Sequence, residues 1–330
     1  MMKPVRLKDV AAAAGVSVST ASRLLDDRQP PSHSETAERV RAVAEKLGYR
    51  RDVVASSMRR KGPSTVGVLV PRISDTVSAV FFEAIYAEAQ RRGIFALVSV
   101  CGDDEEVVKK AADTLLTRRV DGLVITAART DDPIAQYLRS TNVDHVLAIR
   151  TDGESPSVGC DDELGGYLAT RHLIDLGHTH IAVCPGPKFA STACRRLTGF
   201  RRAMEEAGLE IREDWILHSL FDFEAGVANA TALLGADRPT AVFAANDAMA
   251  LGVMAQARTM GLKVPLDLSV VGYNDTPLAE QMPKPLTTVR VPFEQIASAA
   301  LDQLFGPASD ELRREFVPTL IPRKTTARPQ

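Results

Sequence analysis

The sequence lacks a metal or disulfide framework. Its four cysteines, Cys101, Cys160, Cys184 and Cys194, show no CxxC or Cys/His spacing, which leaves buried or free reduced thiols as the expectation. It also lacks an apolar signal core at the N-terminus and any run near the ~18 apolar residues of a membrane helix. A soluble, cytoplasmic protein with no membrane partner is therefore expected. His178 and His180 flank a strand start without a third ligand, and His33, His145, His172 and His218 are scattered. The histidines accordingly read as structural, with no metal and no cofactor. Finally, no GxGxxG follows a strand, and P-loop, GxSxG and HExxH motifs are absent, so nothing sets a nucleophile beside a base. The expectation is a protein without catalytic residues.

What is present begins with an uneven charge. The 330 residues leave room for a small domain and a large one, and the formal net charge is only −2. Residues 1–62 nevertheless hold 13 of the 40 Lys/Arg and 7 of the 42 Asp/Glu, leaving 27 against 35 for the remainder. A basic head on an acidic body suits phosphate contact, where condensed counterions are released; a solvated charge run is the plainer alternative.

Within that head, Leu7, Val10, Ala11 and Ala14 fall at i, i+3, i+4 and i+7, one apolar stripe on a short helix that Gly15 stops. A second helix follows, capped by Ser17 or Ser19, with Ala21, Leu24 and Leu25 as its apolar face. Its other face carries Val18, Ser19, Ser22 and Arg23. Two short helices joined by a tight turn read as a helix-turn-helix, and equally as a helical hairpin with a solvated polar face. Past a proline-containing connection, Ser34 caps a third helix with the stripe Val40, Val43, Ala44 and Leu47, ended by Gly48.

The wording of this region decides between the two. Lys8-Asp9-Val10-Ala11, Gly15-Val16-Ser17 and Ser19-Thr20-Ala21-Ser22-Arg23-Leu24-Leu25 closely resemble the DNA-binding signature of the LacI/GalR family of bacterial transcription regulators. The resemblance runs from about Lys8 to Ala327. It implies that residues 1–50 form the DNA-binding head, with Ser17, Val18, Ser19, Thr20, Ser22 and Arg23 facing the major groove. There Arg forks onto guanine, Ser reaches phosphate or base edges, and a Val methyl meets thymine.

By the same resemblance residues 51–63 are a hinge that folds on operator DNA and enters the minor groove. Ala55 and Met58 match the paired wedge positions, and Arg59 would hold a phosphate. Two residues depart from the family pattern: Arg51 stands where Pro is usual, and Met58 where Leu is usual.

From Thr65 onward, short apolar runs alternate with helical stretches. The runs are VGVLV at 66–70, FALVSV at 95–100, GLVIT at 122–126 and HVLAI at 145–149, then HIAVC at 180–184, WILHSL at 215–220, AVFAA at 241–245 and SVVGY at 269–273. Such runs argue for parallel sheets covered on both faces. Phe81, Ile85 and Ala89 mark one crossover helix; Leu164, Leu168, His172 and Leu176 mark another.

The resemblance implies a two-lobed effector domain at 64–330, akin to periplasmic sugar-binding proteins. One lobe takes about 64–161 plus 291–317, the other about 162–290 plus 318–330. The expected fold class is thus a small all-α helix-turn-helix head with an α/β domain of doubly wound parallel sheets. No heptad helix follows LIPRKTTA, which favours a homodimer over a tetramer.

Ligands of open α/β sheets bind beyond the carboxyl ends of the strands. Asp75, Arg150, Arg195 and Arg196, Phe221, Asn246 and Asp247, and Asp275 all follow strand runs. Carboxylates, a carboxamide and Arg forks suit a polyhydroxyl ligand, and an aromatic face stacks on a ring. Singly, an Asp after a strand is commonly a helix cap. Arg196, Phe221, Asn246, Asp247 and Asp275 also stand at positions that resemble the family's effector contacts. Asp75-Thr76-Val77-Ser78 replaces the usual Asn-Pro-Phe-Phe, and Ile149 stands where Asp often precedes Arg150.

The reading is a ligand-responsive, sequence-specific regulator of transcription, most often a repressor in this family. It would bind pseudo-palindromic double-stranded operator DNA as a homodimer, with a sugar-type effector between the lobes. A nucleobase or nucleoside effector is the alternative. A two-lobed sugar-binding or sugar-processing protein, whose basic helices serve only for assembly, is the reading from another class.

Overall fold

The computed structural model describes residues 5–25, 32, 34–49, 64–307 and 311–330. The expected hinge, with Arg51, Ala55, Met58 and Arg59, lies outside the described residues, as does most of the connection before Ser34. The described chain divides into two compact units, up to Pro63 and from Ser64 onward.

The first unit is helical: α1 (Leu7–Ala14), α2 (Val18–Leu24) and α3 (Glu35–Lys46). Its core is small, built from Val10, Ala11, Ala14, Ala21, Val40 and Ala44. Gly15 leaves α1 at φ 66°, a left-handed turn that glycine adopts without strain, so that α2 starts at once. Of the two candidate caps, Ser17 is the one used: its Oγ accepts from the Thr20 N–H at 3.1 Å. Ser34 caps α3 in the same way through Ala37 N–H. Leu47 departs from the expected stripe, since α3 stops at Lys46 and leaves Leu47 38% exposed; Ala37 one turn into the helix is buried instead.

In the second unit the chain builds a first lobe from β1 (Thr65–Val70), α4 (Thr76–Arg91), β2 (Phe95–Val100), α5 (Glu105–Thr117), β3 (Gly122–Ile125), α6 (Pro133–Ser140), β4 (His145–Ala148) and β5 (Ser157–Cys160). It then builds most of a second lobe: α7 (Asp162–Asp175), β6 (Ile181–Cys184), α8 (Ser191–Glu206), α9 (Phe223–Leu233), β7 (Ala241–Ala244), α10 (Asp247–Thr259), β8 (Ser269–Asn274), α11 (Pro277–Gln281) and β9 (Thr287–Arg290). Helix α12 (Phe293–Phe305) and β10 (Arg313–Phe316) return to the first lobe, and β11 (Thr319–Ile321) ends in the second.

The first sheet runs β10-β5-β4-β3-β1-β2 with every pairing parallel. The second runs β11-β9-β8-β7-β6, parallel except for β11 against β9. Buried Val, Leu and Ile side chains fill the central strands, as two-sided burial requires. Helix α12 is held on α4 by the edge-on rings of Phe81 and Phe293, 6.3 Å between centroids, and by Arg92 donating to Ser298 and Asp302.

Three crossings between the lobes are laced together. Asp161 N–H donates to Phe316 O at 2.9 Å, joining the first crossing to the third. Thr319 pairs with Arg290, joining the third to the second.

Two expected elements differ. WILHSL at 215–220 is no strand: Glu213–Trp215 forms a 3-10 turn and Ile216 makes one isolated bridge to Val183. The ladder stops because Asn229 Nδ2 donates to the Leu217 carbonyl and the Ser219 hydroxyl, while the His218 ring donates to Gly186 O. On α7 the buried face is Gly165, Gly166, Ala169, Thr170 and Leu173, rather than the stripe of Leu164, Leu168, His172 and Leu176. The backbones of α7 and α8 come so close that only small residues fit: a Cβ on Gly199 would stand 1.9 Å from Glu163 O. Among the described residues, no helix is long and apolar enough to cross a membrane.

Candidate nucleic-acid interface and ligand cleft

The outward face of α2 is polar and open. Val18 is 45% exposed, and Ser17, Ser19, Ser22 and Arg23 are exposed too, with Thr20 half-buried. Ser17 Oγ lies 2.8 Å from both Ser19 Oγ and Thr20 Oγ1, so the cap also draws these hydroxyls together at the helix start. Among the described residues Arg23 has no hydrogen bond or ion pair, and its guanidinium carries five N–H donors.

In the second unit a cavity of about 270 Å³ opens between the two lobes, beyond the carboxyl ends of β1, β2, β4 and β6. From the first lobe it is lined by Arg72, Asp75, Asp103 and Arg150; from the second by Phe189, Phe221 and Asp222. Asp75 caps α4, its carboxylate accepting from Val77 N–H at 3.1 Å and from the Ser78 hydroxyl at 3.3 Å. Burial raises its pKa above the ordinary range, against those hydrogen bonds and the charge of Arg150. Arg72 and Asp103 pair at 2.6 Å across the cavity mouth.

Arg150 is aimed by a strained turn. Its N–H returns to Ala148 O at 2.8 Å, and Ile149 between them sits at φ 69°. A β-branched residue in the left-handed region costs on the order of 1–3 kcal/mol and is kept only where the surroundings enforce it. The guanidinium lies between two rings, 6.0 Å from the Phe189 centroid and 5.7 Å from that of Phe221. Its Nη1 is closed off from solvent and has no hydrogen-bond partner. Burial lowers its pKa, against the pull of Asp103 and Asp75. Arg129 also stacks on Phe189, 4.4 Å from its centroid, and Thr130 N–H donates to Phe189 O, a direct tie between the lobes.

Of the eight strand-end residues read from the sequence, Asp75, Arg150 and Phe221 meet in one cavity, and five do not line it; Arg195 is paired with Asp161 at 3.0 Å and Glu315 at 3.2 Å. Arg196 is 4% exposed; it donates to Asp162 at 2.8 Å and to Ala245 O, over the Tyr273 ring at 3.7 Å. Asn246 caps α10 through Met249 N–H, and its Nδ2 donates to Phe221 O at 3.0 Å, so it fixes the backbone of a lining residue. Asp247 accepts from Thr276 N–H, Thr276 Oγ1 and Thr288 Oγ1, and burial pushes its pKa up to about 6. Asp275 is paired with Arg290 and Arg323, each at 2.7 Å. The polar atoms of these last four are engaged inside the second lobe, which is the physical reason they stand away from the cavity.

Phe189, Asp103 and Arg72 were not singled out in the sequence. Phe189 and Asp103 follow β6 and β2, so the same strand-end rule reaches them. The histidines bond locally: His178 faces Thr240, Ser269 and Ala327 O, and His172 faces Thr326. The cysteines are free. Burial pushes the Cys101 thiol, near the cavity, up to about 12, which keeps it protonated and unreactive.

Comparison with known proteins places both parts of the chain in known families. Residues 6–52 match the model described as bacterial regulatory proteins, lacI family, and residues 170–326 match a periplasmic binding protein-like domain. The ribose operon repressor of Escherichia coli (strain K12) is 34% identical over 325 residues, 96% of this chain and 98% of that repressor. The HTH-type transcriptional repressor PurR of Vibrio campbellii is 32% identical over 328 residues, 97% of this chain and 98% of its own length. Among solved structures, the lac repressor dimer bound to operator and the anti-inducer ONPF superposes with a TM-score of 0.84 at 31% identity, covering 98% of this chain and all of that one. With a helix-turn-helix head, a two-lobed α/β body and relatives of this identity over nearly its whole length, the chain belongs to the LacI family of bacterial regulatory proteins.

Proposed function

We propose that the protein is a cytoplasmic transcriptional repressor that binds pseudo-palindromic operator DNA as a homodimer and takes a small hydroxylated, sugar-type effector in its interlobe cavity. The observation that carries the DNA reading is the open polar face of α2, with Arg23 exposed on it, on a helix-turn-helix of the lacI family. The lac repressor, a dimer on its operator, supports the same arrangement. The cavity supports the effector reading: Asp75 retains lone pairs for hydroxyl groups, and Phe221 offers a ring face. The name of the ribose operon repressor points to the same ligand class. A nucleobase is the second reading, favoured by the pair of phenyl rings from Phe189 and Phe221.

Fluorescence anisotropy against the DNA upstream of its own coding sequence tests the first part. Cognate duplex binds well above scrambled duplex, and Arg23→Ala lowers that preference by about 1–3 kcal/mol at one base pair. An unchanged preference in the variant removes Arg23 from base reading, and no preference in the wild type sinks the repressor reading altogether.

A further inference from the structure

We infer that the ligand of the interlobe cavity carries a carboxylate, and that Arg150 receives it; this rests on the reading of that cavity as the effector site.

The cavity's two lining arginines are in opposite situations. Arg72 has Asp103 at 2.6 Å. The Arg150 guanidinium has neither a hydrogen bond nor an ion pair among the described residues, and its Nη1 is both buried and unpartnered. Leaving Nη1 so is costly, because that N–H has lost water while the pull of Asp75 and Asp103 and the faces of Phe189 and Phe221 give it attraction but no hydrogen bond. A neutral sugar would hydrogen-bond to it but bring no charge of its own to meet it. A carboxylate meets it with two parallel N–H···O bonds, in a site where the rings exclude water and strengthen the pair.

Four acidic residues line the cavity; Glu224 is exposed to solvent, and the other three are engaged. Asp103 is neutralised by Arg72. Asp75 and Asp222 cap α4 and α9, whose first turns carry partial positive charge, and Asp222 accepts from Ala225 N–H at 2.7 Å. The caps keep lone pairs for hydroxyl donors, and about 270 Å³ suits one monosaccharide-sized molecule. The ligand class is accordingly a small hydroxylated carboxylic acid, of the uronate or aldonate type. A phosphate ester fits less well, since no lysine and no second unpaired arginine lines the cavity among the described residues.

The test uses the full-length protein in calorimetric titrations and thermal melts with D-glucuronate, D-galacturonate and D-gluconate. The comparison ligands are D-glucose, D-galactose and glucose 6-phosphate. At least one acid is expected to raise the melting midpoint and bind at least tenfold tighter than its neutral counterpart. Arg150→Gln should weaken that acid tenfold or more, and Arg150→Lys should weaken it less. Melting of unliganded Arg150→Gln establishes that the variant folds.

A neutral sugar or the phosphate ester binding as well as the acids overturns the inference. So does the lack of any acid response that Arg150→Gln abolishes. If a neutral sugar binds and Phe221→Ala abolishes it, the cavity stands as the effector site and only the carboxylate falls. If a bound ligand is indifferent to both Phe221→Ala and Arg150→Gln, the cavity reading falls with it.

Discussion

Asp247 shows how one residue's environment becomes a measurable property. Its carboxylate is 2% exposed and accepts three hydrogen bonds, yet burial still raises its pKa from the ordinary 3.8 to about 6. A group with a raised folded pKa stabilises the fold below its unfolded pKa, and that contribution is lost as pH rises through the folded value. The stability difference between wild type and Asp247→Asn should therefore narrow by about 2 kcal/mol between about pH 4.5 and about pH 7. Urea titrations at stepped pH measure it, and a pH-independent difference contradicts the assignment. The sequence marked Asp247, Asn246 and Asp75 alike as polar residues after strands. It had no means of telling which carboxylate faces a cavity and which is enclosed by threonines two strands away, because that depends on contacts such as Thr288 Oγ1 to Asp247.

At the scale of elements, the legible parts were those whose burial shows in composition. VGVLV, GLVI and AVFA are apolar throughout because both faces are covered. β9 (TTVR), β10 (RREF) and β11 (TLI) escaped notice, being short and partly polar. Thr287 and Thr288 are buried with their hydroxyls engaged, and β10 is an edge with Arg313, Arg314 and Glu315 facing water. The α7–α8 contact was misread for the opposite reason, since glycine rather than leucine marks it. Gly199→Ala would place a methyl 1.9 Å from Glu163 O and 2.6 Å from Tyr167 N, so the helices must part. A loss of about 3 kcal/mol is expected, visible as a lower denaturant midpoint. Gly235→Ala, which meets nothing within 4 Å, is the control and should change stability by less than about 1 kcal/mol. Equal effects from the two would refute close helix packing as the cause.

For the molecule as a whole, the sequence displayed its division of labour in its charges: 13 Lys/Arg against 7 Asp/Glu up to residue 62, and an acidic remainder. Operator affinity should accordingly fall steeply with salt, by about 0.9 in log K for each phosphate contacted per tenfold rise in salt. Effector affinity, set in a closed cavity, should fall much less. Anisotropy and calorimetry between 50 and 200 mM salt compare the two, and a flat operator response denies the head its electrostatic role.

The resemblance implied three crossings between the lobes, and β10 and β11 flank the third of them. Asp161 bonded to Phe316, and Thr319 paired with Arg290, make those crossings a three-ply strap. A strap of that kind bends across its width and resists wringing, because twisting would tear one ply from its neighbour. An occupant of the cleft would then act chiefly on the opening angle of the lobes.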